Sequence, residues 1–411
     1  MTTYRPDCIR YQRVCSLGKR VSRDEAASNA GSPTSKGSNP SMKTAATELL
    51  DIEAPIFAFS HCRDVVAATS KAGGFGVLGA AWMTPEHLEQ ELKWIDDHVE
   101  GRPYGVDMVF SSTATAVDFK ETPRELVPEE NRRFINELMD QDGVPPLSEE
   151  DAKGWYAEYA RNLAFSPEAS EALLDVALRH PVKLVVSALG VAPDHVIKRV
   201  HDYGAKFGAL VGSARQAQKQ VAAGVDIIVA QGSEAGGHTG EISSLVLWPQ
   251  IVDAVAPVPV LAAGGIGRGR QMAAAIALGA EGVWCGTIWL GTVESELAPD
   301  MRDVLYAAKA DDAVITYGYT GKPCRAIRSK YTEAWKRSDA PKPLKAVPMQ
   351  SILSGEPFRR AERAHRKDWM TYAAGQIVEL VNEPVSVKTV IYDMILEYAE
   401  AMDRLSQVNE D

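Results

Sequence analysis

The stretch RQAQKQVAAGVDIIVAQGSEAGGHTG (215–240) decides the fold. Its first part is a run of helix-forming residues that stops at Gly224, and glycine just past a helix end is the usual left-handed cap. One residue later VDIIVAQG (225–232) begins, a short run that is apolar on both faces. Such runs belong to parallel sheets covered by helices on either side. The same order of helix, glycine and buried strand recurs in VVAATSKAGGFGVLGA (65–80), HVIKRVHDYGAKFGALVGS (195–213) and RQMAAAIALGAEGVWCGT (270–287). Units of this kind are βα repeats, and repeated βα units make a parallel sheet or barrel. The candidate strands are 53–59, 75–80, 104–110, 182–189, 206–212, 225–232, 257–265 and 281–287. Eight strands predict an α/β fold, a (βα)8 TIM barrel, with a doubly wound open sheet as the alternative.

Outside this repeat the chain changes character. Residues 1–45 are small, polar and rich in Gly, Pro and Ser, a composition that cannot bury enough surface to repay its ordering. They read as a disordered leader or as a start placed too early, with Met42 opening the folded protein. Residues 111–180 form a charged, helical insertion after strand 3, expected to sit over the strand ends as a lid or rim. The barrel is expected over 50–330, and 331–411 reads as a helical C-terminal extension. That extension closes with TVIYDMILEYAEAMDRL (389–405), whose Ile391, Met394, Ile395, Tyr398 and Met402 share one face. Such a face packs on the barrel or on the partner subunit of a homodimer.

Composition narrows the function. The chain has 411 residues, 44 Lys+Arg against 55 Asp+Glu, and a net charge of −11. An acidic balance argues against general nucleic-acid binding and against attraction to anionic membranes. No run of about 18 apolar residues is present to span a bilayer, and no apolar signal core opens the chain. The five cysteines are scattered and match neither a disulfide framework nor a zinc site. A reduced, cytoplasmic setting is expected, with no metal.

Three loops carry chemistry. GGFGVLG (73–79) has dinucleotide-fingerprint spacing, but helix precedes it and strand follows, the reverse of what that motif needs. AAGGIGRGRQMAAAIALGA (262–280) has the right order, and Gly264 and Gly265 let a ligand approach the backbone beside a helix N-terminus. Gly286 and Thr287, ending the eighth strand, supply a second loop, and phosphate sites of α/β barrels are built from the loops after strands 7 and 8. QGSEAGGHTG (231–240) follows the sixth strand and therefore lies at the barrel mouth. There His238 sits among Gly236, Gly237 and Gly240, an uncrowded imidazole whose ordinary pKa suits proton transfer. Glu234 and Glu241 flank it, either orienting the ring or solvated. His61 and Cys62 also face the mouth, Cys62 and Cys285 reading as packed thiols. The other six histidines read as structural.

Together PIFAFSH (55–61), AGGFGVLG (72–79), GVD (105–107), QGSEAGGHTG (231–240), AAGGIGRG (262–269), GVWCGT (282–287) and TGKPCRAIRS (320–329) resemble the nitronate monooxygenase family, which also includes flavin-dependent enoyl-acyl-carrier-protein reductases. The resemblance implies FMN as cofactor and a small nitronate or nitroalkane substrate oxidised with O2. It implies cofactor contacts at Ala58, Phe59, Ser60, Asp107, Gln231, Gly236, Gly237, Gly264, Gly265, Cys285, Gly286 and Thr287, and a catalytic role for His238. Two departures stand out. Asp107 occupies a position where many members carry Asn, and the lysine expected on strand 5 falls near Leu210. The alternatives are an NAD(P)H-dependent enoyl-thioester reductase and a flavin-binding scaffold without turnover.

Overall fold

The computed structural model describes residues 42–110, 126–152, 154–155, 166–345 and 348–408. Eight parallel strands close a barrel in the order β1 (Ile56–Ser60), β2 (Phe75–Gly79), β3 (Tyr104–Met108), β4 (Leu184–Ser187), β5 (Lys206–Val211), β6 (Ile227–Gln231), β8 (Val260–Ala263) and β9 (Gly282–Cys285), with β7 (Gly237–His238) standing outside it. All eight expected strands are present, and β9 pairs back onto β1 at Phe57–Trp284. The open-sheet alternative is excluded by that closure.

Side chains alternate across the barrel wall, as a strand's period of two requires. Phe57, Phe75, Val77, Leu184, Val186, Ile227, Val229, Leu261 and Trp284 pack together inside. Their neighbours Ala58, Leu78, Val106, Val185, Ile228, Ala262 and Cys285 face the surrounding helices. Gly76 belongs to this outer set. A Cβ there would run into the Val66 backbone of helix Arg63–Lys71, so the glycine of GGFGVLG serves helix–strand packing and no cofactor.

A short helix, Ala45–Leu50, shuts the end where the strands begin, its Ala46 and Leu50 buried against the inner layer. The Thr44 hydroxyl caps that helix and donates to the Glu281 carbonyl (2.6 Å), fixing the plug to β9.

Two parts of the chain differ from their sequence reading. The leader lies outside the described residues, except for Met42–Ala45. Within 111–180, helix Pro167–Ala177 takes the ordinary place between β3 and β4, packing on helix Pro85–His98. Helix Glu129–Gln141 instead joins a second core with Leu305, Tyr331, Ile352 and Val378. Residues 111–125 and 156–165 of the expected lid lie outside the described residues. The C-terminal part is helical over Met349–Arg363 and Val387–Gln407 but is preceded by a hairpin of β10 (Ala313–Thr316) and β11 (Cys324–Ile327). Those four-residue strands carry too little pattern to be read locally. Helix Val387–Gln407 buries Ile391 and Met394, half-buries Ile395 and Tyr398, and leaves Met402 exposed. It lies so close to helix Gly269–Ala277 that a Cβ on Gly269 would strike the Met394 carbonyl.

Candidate active site

His238 is held by a strand that local sequence does not show. Gly237 and His238 form β7, antiparallel to β11 in the register His238–Cys324 and Gly237–Arg325. The Arg325 guanidinium fastens the same loop, donating from Nε and Nη2 to the Ser233 carbonyl at 3.1 and 2.9 Å. Crowding by protein pushes the His238 pKa down, and the positive charge of Lys322 pushes the same way. The Pro323 carbonyl, accepting from the ring, opposes both. The lowered pKa leaves the ring neutral near pH 7. Leu210 stands on β5 at the position where the resemblance expects a lysine, and Lys322 is an exposed cation near the His238 ring.

Glu234 neither orients that ring nor hangs in water. Its carboxylate accepts from the Ser244 N–H (3.0 Å) and hydroxyl (2.8 Å), capping helix Ser244–Val255. An acid at a helix N-terminus satisfies orphan donors there. The same Ser244 hydroxyl lies 2.9 Å from the Gly264 carbonyl, its one proton shared between the two acceptors, so the loops after β6 and β8 meet at this residue.

The glycine loops lie on adjacent strands, β8 and β9. Gly264 and Gly265 have φ of +96° and +73°, a region that only glycine enters cheaply. A Cβ on Gly264 would sit 2.9 Å from the Gly232 carbonyl oxygen. Gly286 precedes the 3₁₀ turn Thr287–Gly291, whose first N–H groups point outward as in any helix start. The Thr287 hydroxyl accepts from the Gly375 N–H (2.8 Å) and keeps its proton for a further acceptor. Cys285 takes a lesser part than its motif suggests. Its thiol faces the helical layer, burial pushes its pKa up to about 12, and its carbonyl accepts from the Trp289 indole (2.7 Å).

On β1, next to β9, Phe59 stacks on Trp284 inside the barrel, while Ala58 points outward and the Ser60 hydroxyl accepts from the Cys62 N–H. Only the backbone of Ala58 can touch a ligand in the mouth. His61 leans over β2, its Nδ1 2.9 Å from the Gly79 carbonyl and its ring edge-on to Phe59. Gly79 has to lack a side chain, because a Cβ would meet Nδ1 at 2.6 Å. Gln231 ends β6 beside Ala263. Asp107, on β3 between Gly79 and Val186, is 2% exposed. The Cys62 thiol donates to the Glu294 carbonyl (3.1 Å) and is pushed up to about 12, first by burial and next by Glu296.

The remaining six histidines have ordinary structural partners: His180 with Asp96 (2.6 Å), His195 with Glu171, His201 with Asp226, His365 with Asp300, His98 with the Trp94 carbonyl and His87 with Glu91. Sequence reasoning missed Lys322 and Arg325 as site residues, although TGKPCRAIRS contains both. It also missed residues 371–375, where the Tyr372 carbonyl accepts from Ile327, Gly375 reaches Thr287, and Gly236 packs so tightly that a Cβ would sit 2.7 Å from Ala374. No local signal marks that segment, since its partners lie in three other loops.

A closed (βα)8 barrel with a histidine, a buried acid and two glycine loops at the strand C-termini is the construction of a barrel enzyme. The chain belongs to the nitronate monooxygenase family of flavin oxidoreductases, whose profile it matches over residues 43–397. It is 45% identical over 375 residues to a putative monooxygenase of Mycobacterium tuberculosis, covering 89% of this chain and 98% of that one. It is 28% identical to a probable nitronate monooxygenase of Staphylococcus saprophyticus, covering 88% and 99%. Among solved structures it is similar to nitroalkane oxidase from Streptomyces ansochromogenes (26% identity, TM-score 0.73, 88% and 100% covered) and to FabK from Thermotoga maritima (27%, 0.66, 89% and 99%). Among the described residues no helix is long and apolar enough to cross a membrane.

Proposed function

We propose that this enzyme binds FMN in the barrel mouth and oxidises alkyl nitronates, and nitroalkanes by way of them, with O2. The observation that carries the reading is the neutral, strand-held His238 in the loop after β6, together with the glycine loops that end the adjacent strands β8 and β9. The residues present suit a flavin mononucleotide. Gly264, Gly265, Gly286 and Thr287 offer backbone N–H groups and a hydroxyl to one terminal phosphate, and the chain shows no fingerprint for an adenylate half. Phe59, Gln231, Asp107 and the backbone of Ala58, Ser60, Gly236 and Gly237 would border the ring system. The bound flavin supplies the electron transfer.

The chain's own residues do the rest. His238 removes the α-proton of a neutral nitroalkane, and afterwards donates to the nitro oxygens. The Pro323 carbonyl fixes the tautomer and steadies the ring when it is charged. Lys322 adds to the desolvation that keeps the resting ring neutral, and it adds positive potential where an anionic nitronate docks. Release of FMN, rather than FAD, on denaturing the purified yellow protein tests the cofactor. A colourless protein that FMN cannot reconstitute would end this reading.

The likeness to FabK favours a second reading, reduction of an enoyl thioester by NAD(P)H. Rapid bleaching of the bound flavin by NADH or NADPH without air would establish it over the first.

A further inference from the structure

Asp107 is the buried acid that the chemistry above leaves unused. It points into the barrel from β3, since Tyr104, Val106 and Met108 face the helices, and its register partners on either side are Gly79 and Val186. Its Oδ2 is buried and has no hydrogen-bond partner among the described residues. A native interior rarely leaves a polar atom unsatisfied, and one aimed into a ligand site is commonly satisfied by the ligand.

We propose that Asp107 stands in the mouth as a neutral carboxylic acid and donates its proton in a hydrogen bond to an acceptor atom of the bound flavin ring. This rests on the flavin reading and adds the protonation state and direction of that contact. A carboxylate at this depth would need a cation or several donors. The flanking strands provide neither: β2 offers Gly79, β4 offers Val186, and β5 offers Gly208 and Leu210. His61 leans over Gly79, and its pKa is pushed down from the ordinary value by the protein packed around the ring, so it is no cation at neutral pH. The Asp107 carboxyl is accordingly held well above the ordinary range, by burial alone. In that state it has one O–H to give, and the edge of a flavin ring carries carbonyl oxygens and ring nitrogens to receive it.

The experiment compares wild type, Asp107→Asn and Asp107→Leu. Infrared difference spectra of the FMN-free proteins at neutral pH should show a protonated-carboxyl band in wild type that Asp107→Asn lacks. FMN titrations should give Asp107→Asn, which keeps a donor, an affinity near wild type, while Asp107→Leu binds about 2–12-fold more weakly. As pH rises, wild type should lose affinity relative to Asp107→Asn once the acid ionises, and the ratio of the two cancels the titration of FMN itself. A carboxylate without the protonated band overturns the proposal. So does an FMN affinity and pH profile shared by all three proteins. Wild type that takes up no FMN would overturn the parent reading instead, so the two failures are distinct. Asp107→Asn keeps shape and volume, so the test does not depend on Asp107→Leu folding.

Discussion

The two ends of the barrel are made from the same eight strands and are chemically opposite. At the end where the strands begin, Ala46 and Leu50 of the short helix close onto Phe57, Phe75 and Leu184, a dry plug. At the other end the inward positions are Gly79, Asp107, Gln231 and Ala263, overhung by His61 and His238. The plug end is satisfied by its own packing, while the mouth holds a buried oxygen without a partner and two histidines whose pKa values are pushed down. Stability is therefore built at one end and left incomplete at the other, the usual partition in barrel enzymes.

The strongest way to break this comparison is His238→Ala. On a neutral nitroalkane the variant should lose about 10²–10⁴-fold in rate, the worth of a general base. On the preformed nitronate, which has already lost that proton, the loss should be about 10–150-fold, a hydrogen bond to a charged group. FMN should remain bound, as absorbance would report. Wild-type rates on both substrates would make His238 structural.

Leu50→Ala attacks the opposite end. Cutting a core leucine costs about 2–5 kcal/mol, read by denaturant unfolding. Turnover per bound flavin should be unchanged. A fall in turnover with flavin retained would show that the ends are coupled.

Asp107→Asn sharpens the contrast through pH. The folded-state pKa of Asp107 is raised above its unfolded value, so the folded protein binds the extra proton. The stability it contributes is full below the unfolded pKa of about 4 and falls by about 1.4 kcal/mol per pH unit until the folded pKa is passed. Asp107→Asn should lack that decline, so its FMN-free form gains on wild type between pH 5 and pH 7. Parallel stability curves for the two proteins would contradict it.

The smallest effect concerns Lys322. Nitroalkane kcat/KM should fall as pH drops through the lowered His238 pKa, below the ordinary value of about 6.5, and be level at neutral pH. Lys322→Ala removes one of the charges lowering it, so the inflection should move up by a few tenths of a unit, as expected of an exposed charge in high dielectric. An inflection that stays where it is in wild type would mean that Lys322 does not act on the ring.

The barrel was legible because each βα unit is local. A helix, its glycine cap and the following apolar strand lie within about twenty consecutive residues, and periodicity reports them directly. The glycine loops were legible for the same reason, Gly264 and Gly265 following their strand and preceding their helix. Other features were not. The strand that holds His238 exists only because Cys324, far along the chain, pairs with it. Glu234 reads as a loop charge until the loop folds back and sets its carboxylate on Ser244.

The sequence by itself determined the eight βα strands, the loops that follow them and the candidacy of His238, all of which follow from short-range pattern and residue chemistry. Only the tertiary structure decided the closure of the barrel, the directions of the pKa shifts and the partners: that Lys322 acts on the His238 ring, that Thr287 is tied to Gly375, and that Asp107 Oδ2 is buried without a hydrogen-bond partner among the described residues. The physical reason is that pKa and hydrogen-bond satisfaction depend on burial and on charges a few ångströms away in space, and the chain brings those neighbours from segments whose separation along the sequence carries no trace of the contact.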